Sequence, residues 1–151
     1  MEQFSFDIKL IFAILNGKVS AAINRKLYRN FREYNLDITP EQWTVLLFLW
    51  EKEGVTQQEL CHVTFKDKPS MTRLINNMEK QNLVKRTACD TDKRINLIYL
   101  TSYGRSLEDK SRYVANKTLK EALRGLTIEE LRVSQDVLRK VFSNTKALVS
   151  R

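Results

Sequence analysis

The most constraining feature of the sequence is the stretch from Asp67 to Thr101, which combines an amphipathic helix pattern with two short apolar runs. Apolar residues stand at positions 71, 74, 75 and 78, the i, i+3, i+4, i+7 spacing that places four side chains on one helix face. Asp67 is a favourable N-cap, and Pro69 suits the first turn, where its missing N–H costs nothing. The pattern therefore predicts a helix with a defined start and a polar second face.

The side chains on that second face are either short and polar or positively charged along the whole helix. We take as candidate DNA contacts on it Lys68, Pro69, Ser70, Thr72, Arg73, Asn76 and Asn77. A recognition helix usually places its N-terminal residues in the major groove, where arginine can bond guanine and asparagine can bond adenine.

Two predicted strands follow the helix, at residues 83–87 and 95–100, joined by a polar loop at 88–94. An arginine at such a loop tip can enter a narrow minor groove, where the negative potential is deepest. Asp92 stands two residues before Arg94 and can orient its guanidinium by bidentate pairing. Lys93 belongs to the same tip, and Lys85 and Arg86 on the first strand suit phosphate contacts. An ordinary solvated hairpin turn is the competing interpretation.

Several short motifs occur in order along residues 36–107. They are Thr39-Pro40-Glu41-Gln42-Trp43, Thr56-Gln57-Gln58-Glu59-Leu60, Lys68-Pro69-Ser70-Met71-Thr72-Arg73-Leu74, Leu83-Val84-Lys85-Arg86, the set Asp90, Asp92, Lys93 and Arg94, then Leu100-Thr101 and Gly104. Together they resemble the winged helix-turn-helix of the MarR family of bacterial transcriptional regulators. The resemblance implies a mostly α fold with a small β-hairpin wing, whose terminal helices form a dimerisation layer.

The resemblance also implies a division of the chain and a set of partners. We expect an N-terminal dimerisation helix in residues 1–35, a winged helix-turn-helix DNA-binding domain in 36–101, and C-terminal dimerisation helices in 102–151. The implied function is a sequence-specific regulator, usually a repressor, that binds a pseudo-palindromic operator as a homodimer. The implied partners are double-stranded DNA, a second copy of the chain, and a small aromatic effector.

The flanking segments add helices by their own patterns. Apolar residues recur at helical spacing in 6–34, 102–125 and 127–148, and a winged helix of some 60 residues is too small to cover three such stripes. Thr39, Thr56, Thr101 and Thr127 are predicted N-caps, three of them with Glu or Gln at the third helical position. A two-fold dimer would also place two recognition helices about 34 Å apart, one turn of DNA.

Two details concern the ends of helices. Gly54 is expected to end the helix that begins at Pro40, through a left-handed cap. Phe65 stands in the helix-turn-helix turn, where the family usually has a small residue. A phenylalanine is costly at positive φ, so we expect this turn to close by another geometry.

Composition narrows the function further. The 151 residues carry a formal net charge of +8, which is ordinary for a nucleic-acid-binding protein but not specific to one. There is a single histidine, and we find no paired carboxylates, phosphate loop or nucleophile–base set, so neither an enzyme nor a metal or cofactor site is expected. No run of 18 apolar residues occurs, and acids precede the apolar stretch near the N-terminus, so we expect a cytoplasmic protein.

The effector and its site are open at this stage. By the resemblance, an aromatic ligand would lie between the dimer helices and the winged domain, with candidate wall residues Tyr28, Phe31, Tyr34, Trp43 and Trp50; a core role is the alternative for each. Two other functions also remain open. One is a winged-helix module that binds proteins, and the other is a thiol-based redox regulator that uses Cys61 or Cys89.

Overall fold

The computed structural model describes residues 7–149. Within this range the elements in chain order are α1 (Ile8–Glu33), α2 (Pro40–Glu51), β1 (Val55–Thr56), α3 (Gln57–Thr64), α4 (Lys68–Lys80), β2 (Val84–Ala88), β3 (Asn96–Leu100), α5 (Ser102–Ser106), α6 (Glu108–Ala122) and α7 (Ile128–Val149). The predicted fold class, mostly helical with a small β wing, is confirmed. The N-terminal helix was predicted from residue 6, which lies outside the described residues.

The wing belongs to a three-stranded antiparallel sheet of order β1-β3-β2, one strand more than the sequence predicted. Val55 pairs with Ile98, and the N–H of Gly54 donates to the Ile98 carbonyl at 2.9 Å. Residues 55 and 56 had been assigned to the start of the next helix, because a two-residue strand is too short to show an alternating pattern. This strand joins the helix-turn-helix to the wing.

The core of this part of the chain is built around α4. All four apolar residues of its predicted stripe are buried, and they join a cluster with buried residues of α2, α3, β2 and β3. The predicted caps are present at Thr39, Thr56, Asp67 and Thr101, whose side chains each accept from a backbone N–H of the first turn. The start of every helix around α4 is therefore set by a side chain of its own sequence.

Three local predictions were wrong. Phe65 does adopt the left-handed conformation, with φ 55° and ψ 40°, because α3 ends at Thr64 and α4 is already capped by Asp67. Gly54 has φ 71° but is not the cap of α2, which ends at Glu51 and is capped by Lys52 in an extended conformation. The long helix expected from Ser102 is divided at Leu107.

A hydrogen bond from α2 is found where α5 and α6 divide. The Gly104 carbonyl, which would accept the N–H of residue 108 in a continuous helix, accepts the indole N–H of Trp50 at 3.1 Å. Trp43, which precedes Trp50 by seven residues on α2, makes a second contact of this kind and donates to Ser111 Oγ of α6 at 3.2 Å. The two tryptophans thus hold α5 and α6 against α2.

The chain separates into two compact units, the first ending at Thr118 and the second beginning at Leu119. The second unit holds the end of α6 and all of α7. Thr127 and Glu130 form the predicted capping box of α7, with the Glu130 N–H donating to Thr127 Oγ1 at 3.0 Å. The three-part division expected from the sequence stays a prediction. Among residues 7–149, no helix combines the length and the apolarity that crossing a membrane requires.

Candidate nucleic-acid interface

The first component of the candidate site is the outer face of α4. Asp67 Oδ1 accepts the Ser70 N–H at 2.7 Å, and hydrogen bonds from the backbone and side chain of Ser70 lower the pKa of Asp67. Because Met71 and Leu74 anchor the opposite face in the core, the polar face is turned outward. Its exposed members are Lys68, Pro69, Arg73, Asn76 and Asn77, and its partly exposed members are Ser70 and Thr72.

Two of these residues are held by hydrogen bonds within the unit. The Thr72 hydroxyl donates to the Lys68 carbonyl at 2.9 Å and accepts from Gln57 Nε2 of α3 at 2.7 Å. Arg73 Nη2 contacts Ser70 Oγ at 3.4 Å, at the long limit of a hydrogen bond. Thr72 therefore has a fixed orientation, whereas the guanidinium of Arg73 is only weakly restrained.

The second component is the tip of the wing. Arg94 donates from Nε and Nη2 to the two carboxylate oxygens of Asp92, at 3.1 and 3.2 Å, and its backbone N–H adds a third bond at 3.0 Å. These hydrogen bonds lower the pKa of Asp92. The Arg94 side chain is 90% exposed in spite of the pairing. The bidentate geometry expected from the sequence is therefore present, and it presents an oriented guanidinium to solvent.

The two components are joined by an ion pair. Arg86 on β2 pairs with Glu79 on α4, and only 19% of the Arg86 side chain is exposed. Lys85, the preceding residue, is exposed, as is Lys93 at the wing tip. Of the two cations predicted on β2, Lys85 thus faces solvent, and Arg86 connects the wing to α4.

The base of the wing is fixed by Glu53, which follows α2. Its carboxylate accepts the Leu100 N–H at 2.8 Å and is paired with the Arg105 guanidinium of α5 at 2.9 Å. Burial raises the pKa of Glu53, but the bonds from Arg105 and Leu100, with the charges of Arg105 and Lys85, outweigh it and leave the pKa lowered. Strand β3, and with it one arm of the wing, is therefore tied to both α2 and α5.

Sequence reasoning did not identify Gln57, Glu79 or Glu53 as parts of the site. For Gln57 the sequence did contain a signal, since this residue directly follows the predicted cap Thr56 and stands at the first position of α3. Glu79 and Glu53 pair with residues seven and 52 positions away, so no local spacing marks them.

The five candidate ligand-wall residues occupy different environments in the first unit. Phe31 is fully buried, with its ring centroid 5.8 Å from that of Trp43, and Trp50 bonds to α5 as described. Tyr34 lies edge-on to Tyr113 and accepts from Lys117 Nζ at 3.1 Å. Tyr28 is exposed. A groove of about 710 Å³ lies elsewhere, between α2, β1 and α3, and none of these five residues lines it.

The two cysteines differ in their surroundings. Burial and the nearby Asp67 carboxylate raise the pKa of the Cys61 thiol. The Thr91 hydroxyl and the N–H groups of Thr91 and Asp92 lower the pKa of the Cys89 thiol, whose sulfur lies 3.2 Å from Thr91 Oγ1. Of the two thiols, only Cys89 has surroundings that favour the thiolate.

Comparison with known proteins shows that this chain is similar in sequence to transcriptional regulators. The model of the MarR family matches residues 36–95. The chain is 31% identical over 134 residues to the HTH-type transcriptional regulator TtmR of Methylorubrum extorquens (strain PA1), covering 89% of this chain and 66% of that protein. It is 32% identical over 92 residues to the organic hydroperoxide resistance transcriptional regulator of Bacillus subtilis (strain 168), covering 60% of this chain and 63% of that protein. The chain thus spans slightly less than two thirds of the length of these relatives.

A solved structure extends the likeness beyond the wing. A mutant MarR from E. coli complexed with operator DNA superposes with a TM-score of 0.82 at 25% identity, over 92% of this chain and 99% of that one. The similarity therefore includes the terminal helices as well as the helix-turn-helix and the wing.

Proposed function

The chain belongs to the MarR family of transcriptional regulators, and from that premise we propose that it binds specific DNA sequences and regulates transcription, as a repressor. The observation that carries the proposal is the Asp92–Arg94 pair, which holds an exposed guanidinium at the tip of the wing. An arginine oriented in this way suits the narrow minor groove, while the outer face of α4 suits the neighbouring major groove.

The proposal assigns a role to several of the candidate residues from their placement. Arg73 bonds a guanine or a phosphate, and Asn76 reads an adenine. Lys68, at the start of α4, neutralises a phosphate, as do the exposed Lys85 and Lys93. Arg86 acts through its pair with Glu79 and sets the angle between the wing and α4. The contacts that read bases thus lie on α4 and at the wing tip, and the surrounding cations supply affinity.

The proposal includes a homodimer that binds a pseudo-palindromic operator. Residues 8–22 of α1 are all exposed and include seven large apolar side chains that are at least 39% exposed. On α7, none of the side chains that the structure describes is buried, although Val133, Val137 and Val141 follow one another at i, i+4 spacing. Apolar surface of this extent usually marks an interface, and a second copy of the chain would cover it.

A small aromatic effector completes the proposed mechanism. Its binding among Tyr28, Phe31, Tyr34, Trp43 and Trp50 would favour one spacing of the two recognition helices, and would release DNA only as far as it prefers that spacing. Titration of phenolic compounds against the protein–DNA complex tests this step. Release by none of them would remove the effector from the proposal and leave DNA binding intact.

Two alternatives are less well supported. A protein-binding winged helix would present an apolar outer face on α4, whereas this face carries Lys68, Arg73 and two asparagines. The lowered pKa of Cys89 favours a thiol-based redox regulator over one that uses Cys61. Peroxide that weakens DNA binding by the wild type but not by Cys89→Ser would establish the redox function.

The proposed function is tested by the salt dependence of DNA binding. The probe is the duplex that the wild-type protein enriches from a randomised double-stranded library. Its affinity should fall steeply between 50 and 200 mM salt. Lys68→Gln should weaken binding and lower the slope of log K against log salt by about 1, since one phosphate contact is lost.

Lys66→Gln is the matched control, because Lys66 lies two residues away and its ammonium pairs with Glu41 at 3.0 Å. The salt slope of that variant should equal that of the wild type. Binding that does not respond to salt, or a library from which no duplex is enriched, would overturn the proposed function.

A further inference from the structure

The hydrogen bonds of Thr72 decide which part of its side chain is available to a base. A threonine hydroxyl has one proton and two acceptor positions. In this structure the proton is donated to the Lys68 carbonyl at 2.9 Å, and one acceptor position is filled by Gln57 Nε2 at 2.7 Å. Both partners belong to the protein, one in the preceding turn of α4 and the other in α3. The hydroxyl therefore has no proton left to donate to DNA.

The γ-methyl group is the other substituent on the Thr72 Cβ, and neither hydrogen bond engages it. Thr72 is partly exposed, on the outer face of α4 with Lys68 and Arg73. A threonine methyl is a recognised partner for the C5-methyl group of thymine in the major groove. Building on the proposed function, we propose that Thr72 recognises thymine through this methyl group, and that Gln57 is the positioning residue that directs it.

Gln57 has this role because a threonine in a helix divides between two rotamers, each of which leaves the hydroxyl near a carbonyl of the preceding turn. The bond from Gln57 favours the rotamer in which Oγ1 faces α3. Gln57 is fixed in turn at the first position of α3, directly after the Thr56 cap. Without its amide the hydroxyl and the methyl group can exchange places, and contact with the thymine becomes intermittent.

The test compares thymine with deoxyuridine, which differs only in the missing methyl group. The probe is again the duplex that the wild-type protein enriches, with each thymine replaced in turn by deoxyuridine. At one position in each half-site, the replacement should weaken wild-type binding about threefold to fivefold, which corresponds to one buried methyl group. The ratio is measured within one protein preparation, so partial unfolding of a variant cancels.

Two nearly isosteric variants separate the methyl group from the hydroxyl. Thr72→Val keeps the methyl group and should keep the thymine-to-deoxyuridine ratio of the wild type. Thr72→Ser keeps the hydroxyl and should bring the ratio at that position to about one. If serine preserves the ratio and valine abolishes it, the hydroxyl is the reading group and the inference is wrong.

A double-mutant cycle tests Gln57. Gln57→Ala should lower the ratio in the wild-type background and leave it unchanged in Thr72→Val, which has no hydroxyl for Gln57 to hold. Equal effects in both backgrounds would show that Gln57 does not act through Thr72. A library that yields no duplex would refute the proposed function itself, whereas an enriched duplex that shows no thymine-dependent position would refute this inference alone.

Discussion

Gly104 illustrates how a single residue sets the junction between the wing and the helices that follow. A Cβ at this position would lie 2.2 Å from the Leu83 carbonyl oxygen, a distance that no real contact tolerates. That oxygen is not free to retreat, since it accepts the N–H of Thr101 at 3.1 Å and the Thr101 hydroxyl at 3.2 Å. The absence of a side chain is therefore a packing requirement, and Gly104 has no unusual backbone angle.

We expect Gly104→Ala to lower the free energy of unfolding by about 2–3 kcal/mol, through the backbone shift that the added methyl group forces. Gly17→Ala is the matched control, because Gly17 lies within α1 with no atom within 4 Å of its added Cβ. That variant should be more stable by about 0.5–1 kcal/mol, from helix propensity. Urea unfolding measures both, and equal stabilities would contradict the packing argument.

Single residues also show where sequence reasoning succeeds and where it fails. The Asp67 cap and the Asp92–Arg94 pair could be predicted because each interaction spans two or three residues of chain. The conformation of Phe65 could not, because the rule against positive φ is a local preference of modest size. The core packing of α3 and α4 fixes both ends of the turn, and the backbone takes the one path between them.

At the scale of elements, helices could be predicted from local sequence, whereas a strand and a helix junction that depend on distant contacts could not. The buried stripe of α4 was predictable from spacing alone, since an amphipathic helix shows its apolar residues at regular intervals in the local sequence. Strand β1 was not, because its two residues become a strand only by pairing with β3. At the division of α5 from α6, the Gly104 carbonyl accepts a hydrogen bond from an indole 54 residues away, and no local sequence pattern indicates that contact. Within the candidate site, the sequence predicted the outward polar face of α4 and the Asp92–Arg94 pair, but not the contacts of Gln57, Glu79 and Glu53.

Glu53 provides a test at this scale, because it ties β3 to both α2 and α5. Its pKa is lowered from an ordinary value of 4.5, so the ionised form is favoured by folding. The stabilisation is therefore complete above the unfolded-state pKa and is lost as the pH falls through the lower folded-state pKa. We expect Glu53→Gln to cost about 1–2 kcal/mol at pH 7, and this cost should shrink below about pH 4.

The measurement is urea unfolding of wild type and variant at several pH values from 7 to 3. The pKa values of Asp67 and Asp92 are also lowered, but these two residues are common to both proteins and cancel in the difference. Glu33→Gln serves as the control, since its pair with Arg29 is largely exposed and should contribute less than about 1 kcal/mol at any pH. A cost for Glu53→Gln that stays constant down to pH 3 would show that its charge is not what supports the wing.

At the scale of the whole molecule, charge and apolar surface indicate two different partners. The net charge of +8 favours a polyanion, and exposed cations lie on the outer face of α4 and at the wing tip, where Asp92 orients Arg94. The exposed apolar residues of α1 and α7 require an apolar partner instead, and a stable interface of this kind buries about 800 Å² on each side. A homodimer satisfies the second requirement and doubles the first, since two wings and two recognition helices then meet one duplex.

If folding and dimerisation are linked in this way, thermal stability must depend on protein concentration. We expect the unfolding midpoint of the wild type to rise by about 4 °C over a hundredfold increase in concentration, since mass action stabilises the folded dimer. Val137→Glu, which places a charge in the exposed apolar stripe of α7, should abolish this dependence and sediment as a monomer. Gln135→Glu adds the same charge two residues away, on the opposite face, and should behave as the wild type. A wild-type midpoint that is independent of concentration would leave the apolar faces of α1 and α7 without a second copy to cover them, and the two-fold model of operator binding would have to be abandoned.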